Sequence, residues 1–148
     1  MLQVIYEAVE SLESGKLADI SEVRGGTRVR VARGADIEAY THALNVEMAA
    51  FLDGSEWFQL WRNEIISRSG GTIQLSVTFT IHDLAPGDYV VIRESKGLVD
   101  IRIERTATVD QFVRAANPAI EEFLAGAQWF QLWKGEIVTM DSPEDRAA

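Results

Sequence analysis

The chain has 148 residues, 47% hydrophobic and 25% charged, with a net charge of −9 and no cysteine. Without cysteine there are no disulfides, thiolate metal ligands or cysteine nucleophiles, and the acidic balance disfavours nonspecific binding to nucleic acid, whose affinity comes from neutralising phosphates. No apolar run approaches the roughly 20 residues that span a bilayer, and the N-terminus lacks the basic-then-apolar order of a signal peptide, so a cytoplasmic protein without membrane contact is expected.

In chain order, residues 4–12 read as a strand by correspondence with a clearer strand later in the chain. Arg24-Gly25-Gly26-Thr27-Arg28-Val29-Arg30 forms a hairpin and enters a strand in which Val29 and Val31 alternate with Arg28 and Arg30. Ile37, Tyr40, Leu44 and Met48 line one face of a helix. Asn45 is expected to cap a new helical turn, which would break that helix, and Gly54 to end it in a left-handed conformation. Trp57-Phe58-Gln59-Leu60-Trp61 follows and reads as a hairpin strand turning at Arg62-Asn63.

The second half is sharper. Ile73, Leu75, Val77, Phe79 and Ile81 alternate with polar residues, as in a half-buried strand. Pro86-Gly87 makes a turn in which proline presets its own φ and glycine supplies a positive one. Residues 89–93 form a second strand, Lys96-Gly97 turns the chain, and Val99, Ile101 and Ile103 mark a third. Thr108 and Gln111 have the spacing of a capping box and open a helix lined by Val109, Phe112, Val113 and Ala116. Pro118 is expected to interrupt it, with Asn117 capping the next turn, and Gly126 to end it. Trp129-Phe130-Gln131-Leu132-Trp133 then repeats the aromatic segment, turning at Lys134-Gly135.

These halves are copies. An offset of 72 aligns residues 25–65 with 97–137 without gaps and with 16 of 41 positions identical; upstream, Leu12/Leu84, Gly15/Gly87, Ile20/Ile92 and Glu22/Glu94 still match. The halves carry charges of −4 (residues 1–71) and −5 (residues 72–148), so neither is a basic module. The expected protein is α+β: a tandem duplication of three strands, a broken helix and a hairpin, forming two antiparallel sheets with helices related by a pseudo-two-fold axis. The units are residues 1–71 and 72–140, followed by a disordered acidic tail at 141–148. A fused ancestral symmetric dimer accounts for this arrangement.

Few residues suggest chemistry. The aromatic segments hold all four tryptophans. On a strand Trp57, Gln59 and Trp61 share a face, as do Trp129, Gln131 and Trp133, and tryptophan is a frequent interface anchor. These six are the expected partner-binding residues, with inter-repeat core as the plainer alternative. Arg28, Arg30 and Arg102 are candidate anion ligands because guanidinium forks match carboxylates and phosphates; cross-strand ion pairs are the competing role. His42 aligns with Arg114, His82 has no histidine counterpart, and Glu64 and Glu136 are retained without a catalytic arrangement. No metal or cofactor is expected. The residues point to a non-enzymatic interaction module that binds an unidentified protein or itself. The alternatives are a small-ligand site or enzyme between the repeats, with His82, Asp83 and Arg28 as the asymmetric groups, and an acidic nucleic-acid mimic.

Overall fold

The structure is a computed structural model and describes residues 3–23, 26–55, 76–95 and 98–127. Among the described residues each copy contributes three strands and one long helix. β1 (Gln3–Val9), β2 (Ala18–Val23) and β3 (Gly26–Ala32) precede α1 (Ile37–Gly54); β4 (Ser76–His82), β5 (Val90–Ser95) and β6 (Leu98–Glu104) precede α2 (Val109–Gly126). The class is α+β, and the like layout of the halves fits duplication about a two-fold axis. The hairpins expected after the helices, the Lys96-Gly97 turn and the C-terminal tail lie outside the described residues. No described helix is long and apolar enough to cross a membrane.

The sheets have the orders β1-β3-β2 and β4-β6-β5. They are mixed rather than wholly antiparallel. β2 and β3 form a hairpin, whereas β1 joins the far side of β3 in parallel, and β4, β5 and β6 repeat this pattern. The turns at Gly15 and Gly87 therefore serve connections that skip over the central strand. Both glycines have positive φ, 71° and 92°. In the second copy Asp88 N–H donates to the Ala85 carbonyl at 3.0 Å across Pro86-Gly87, a type II turn of the expected kind. In the first copy Ser14 replaces the proline and also takes positive φ.

The pairing exposes a register change between the copies. Tyr6 lies opposite Val29 and Phe79 opposite Ile101. β3 and β6 are 72 apart, but β1 and β4 are 73 apart, because the first connection, residues 10–17, is one residue longer than the second, residues 83–89. The ungapped offset thus fails at the first strand of each copy.

The helices differ from expectation in their interiors. Thr108 caps α2 with a full capping box: Gln111 N–H donates to the Thr108 hydroxyl at 3.2 Å and Thr108 N–H to Gln111 Oε1 at 3.0 Å. Yet α2 runs unbroken through Pro118. Buried Ala116 and Ile120 bracket the proline, which sits on the exposed side, so packing of the inward face carries the helix across the missing N–H. α1 is likewise continuous and is capped by Asp36, whose Oδ1 accepts from Ala39 N–H at 2.9 Å. Gly54 and Gly126 are the last helical residues and do not adopt the left-handed conformation; Ser55 and Ala127 cap the helices in extended geometry.

Asn45 and Asn117 cap nothing. Each reaches across to the other copy and hydrogen-bonds both polar groups of one edge-strand residue. Tyr6 N–H donates to Asn117 Oδ1 at 2.7 Å, and Asn117 Nδ2 donates to the Tyr6 carbonyl at 3.0 Å. Phe79 N–H donates to Asn45 Oδ1 at 2.7 Å, and Asn45 Nδ2 donates to the Phe79 carbonyl at 2.8 Å. A primary carboxamide has one acceptor and one donor side in a plane, so it substitutes for the peptide group of an absent neighbouring strand. This satisfies an edge that would otherwise present unpaired groups.

α1 thus packs against β4 of the other copy as well as its own β2, and α2 against β1 and its own β5. The two copies share one core. Its centre is aromatic: Phe112 meets Tyr6 edge-on at 5.5 Å and Phe79 at 6.5 Å, and lies tilted against Tyr40 at 5.5 Å. Tyr40 and Phe112 are equivalent in the duplication, but only Tyr40 carries a hydroxyl, and it donates to the Ala107 carbonyl of the second copy at 2.8 Å. Burial pushes the pKa of Tyr40 and of Tyr6 far up, so both stay neutral.

Candidate functional site

The six expected partner-binding residues, Trp57, Gln59, Trp61, Trp129, Gln131 and Trp133, lie outside the described residues, as do Glu64 and Glu136. The described chain leads up to both aromatic segments in the same way. Each helix ends in glycine, and the next residue, Ser55 or Ala127, is buried.

The three arginines stand on the outward faces of the central strands, each beside a carboxylate. Arg28 Nε is 3.5 Å from Glu7, Arg30 pairs with Asp19 across to β2, and Arg102 Nε donates to Asp100 Oδ2 at 3.0 Å. Arg28 and Arg30 share one face; Arg102 lies on the other sheet. The guanidinium of Arg30 has its pKa raised, chiefly by the hydrogen bond to Asp19, while its Nε is buried without a hydrogen-bond partner.

On the second sheet the outward face holds a chain of polar contacts that the sequence did not signal. Thr80 Oγ1 donates to Asp100 Oδ1 at 2.6 Å and lies 2.8 Å from His82 Nε2. A hydroxyl has one proton. With that proton on Asp100, the hydroxyl oxygen is left to accept from His82 Nε2. His82 does not pair with Asp83; that carboxylate binds Arg105 at 2.9 Å. His42 stands exposed on α1. Thus His82, Asp83 and Arg28 do not come together. Among the described residues no three His, Asp or Glu side chains gather as a metal-holding group.

Two further ion pairs repeat between the copies. Arg33 binds Glu10 at 2.8 Å, and Arg105 binds Asp83, the residue equivalent to Glu10 once the register change is counted. Arg33 also reaches Asp110 on α2 at 3.0 Å, tying the copies together at the surface. Beside β6, Glu104 accepts from Leu84 N–H at 2.8 Å, Thr106 N–H at 3.1 Å and the Thr106 hydroxyl at 2.9 Å. These donors, that of Leu84 first, hold its carboxyl below the usual carboxylate range.

The first connection frames an open cleft of about 380 Å³ lined by Ser11, Leu12, Glu13, Ser14, Lys16, Asp19 and Arg30. Of these only Arg30 stood out in the sequence. The available signal was the weakening of the repeat upstream of residue 25, which conceals the extra residue in this loop. Comparison of the chain with protein-family models, curated proteins and solved structures gives no match.

Proposed function

We propose that the protein is a non-enzymatic interaction module of the cytoplasm, an adaptor or assembly component that binds a protein partner or a second copy of itself through its two tryptophan-bearing segments. The observation that supports this reading is the reciprocal clamping of the copies. Each helix is fixed to the other copy's sheet by an asparagine and a shared core, so the aromatic segments continue from equivalent helix ends of one pseudo-symmetric body. Two like binding elements carried on one chain raise avidity without new contacts, and tryptophan supplies the buried area that anchors an interface.

The test is the double substitution Trp57→Ala with Trp129→Ala. Truncating an interface tryptophan costs about 2 kcal/mol or more, so binding in affinity capture and in sedimentation should be lost, with the melting temperature and circular dichroism of the parent retained. A double variant that unfolds makes the segments core and removes the support for this reading.

A further inference from the structure

We propose that the cleft beside the first connection binds a small zwitterion of the free α-amino-acid class. The two copies act as each other's control. The second copy closes the same connection with Leu84, Ala85, Pro86 and Asp88 where the first has Leu12, Glu13, Ser14 and Lys16, with Ser11 as the extra residue, and it has Val91 at the position of Asp19. The fold therefore demands neither the two hydroxyls, nor the lysine, nor the extra residue. The first copy nevertheless keeps them together around a cavity of about 380 Å³, within the size range of small-molecule sites. It also holds Ser14 at a positive φ of 57°, where its counterpart is a proline.

The lining selects the ligand by charge. Arg30 and Asp19 neutralise each other in the wall. Lys16 reaches only to 3.7 Å from Glu47 and is half exposed. Glu13 takes part in no ion pair among the described residues. The Lys16 N–H donates to the Glu13 carbonyl at 3.2 Å, closing a single turn between two residues that both line the cleft. The Lys16 ammonium and the Glu13 carboxylate, which line the cleft with Ser11 and Ser14, complement a molecule bearing a carboxylate and an ammonium on adjacent atoms. A plain anion meets Glu13 and Asp19; a plain cation meets Lys16 and Arg30. Leu12 alone gives an apolar ligand little cover.

The experiment is a ¹H–¹⁵N NMR titration of the full chain with pools of the twenty standard L-amino acids, and separately with inorganic phosphate and putrescine. At least one amino acid should give saturable shifts confined to residues 11–19 and 28–32. Lys16→Gln and Glu13→Gln, both at exposed residues lining the cleft, should each weaken that binding about tenfold or more with the remaining spectrum unchanged. The proposal is overturned if no amino acid saturates by about 10 mM, if phosphate or putrescine binds more tightly than every amino acid, or if neither variant changes the affinity. Loss of partner capture in the tryptophan variants leaves this titration unaffected, so the two readings fail separately.

Discussion

Two residues hold the architecture together, and both were visible in the sequence with the wrong task assigned to them. Asn45 and Asn117 are retained at the 72-residue offset, and a cap was the natural role beside a proline. A cap serves the chain locally, whereas these side chains serve a strand 34 and 111 residues away, which no local pattern encodes. Asn117→Ala strands the N–H and carbonyl of Tyr6 at a partly buried edge. Each orphaned group costs about 1–3 kcal/mol, so urea unfolding should show a loss of about 2–6 kcal/mol, and Asn45→Ala should match it within experimental error; a loss below 1 kcal/mol for both would deny the carboxamides their edge-sealing role. Glu104 gives a pH signature at the same scale. Its folded carboxyl lies below its unfolded value, so its contribution is complete above the unfolded pKa and disappears as pH falls through the lowered folded one. In melts from pH 7 downward, Glu104→Gln should be less stable than the parent at neutrality, and the gap should close below about pH 4, where ordinary carboxylates protonate. A gap independent of pH would mean that the ionised carboxylate is not the source of the stability difference.

At the scale of elements, the signals with a short-range physical cause were legible. The capping box of α2, the Pro86-Gly87 turn and the alternation of Val99, Ile101 and Ile103 all appear as read. What failed were inferences in which a local preference had to win against packing. Pro118 has the strongest preference against a helix interior, yet Val109, Phe112, Ala116 and Ile120 are buried along one uninterrupted face, and that face keeps the helix whole. The equivalent position in α1 is Val46, which is exposed within an equally continuous helix, so an ordinary side chain fits there. Pro118→Ala restores a donor to the carbonyl of Arg114 and relieves the ring's clash with it, but it also frees the unfolded chain. The balance favours the variant by about 1–2 kcal/mol, measured as a higher urea midpoint at unchanged m-value. A destabilised variant would show that α2 needs the geometry proline imposes.

At the scale of the whole molecule, the duplication was plain in the sequence, but its interlocking was not. Sequence identity reports descent, and the same identities are compatible with two separate beads or one fused core. The polar cleft was hidden for a related reason, since its meaning rests on a contrast between copies that appears only once strand pairing reveals the extra residue in the first connection. The fused core has a consequence that two beads would not share. Each sheet has its parallel edge strand sealed by the other copy's helix, and Phe112 packs on Tyr6, Tyr40 and Phe79 from both copies. A lone unit of about 70 residues is already close to the lower limit for a self-supporting core, and here it would also expose that edge and lose half of its aromatic centre. Residues 1–71 and 72–148, prepared separately, should each lack a cooperative thermal transition at micromolar concentration. Mixed in equal amounts, they should recover the parent's circular dichroism and sediment as a one-to-one complex, with Asn117→Ala in the second fragment weakening their association. A monomeric 1–71 fragment that melts cooperatively near the parent's temperature would mean that the copies are independent domains, and that the carboxamide bridges join two finished folds rather than complete them.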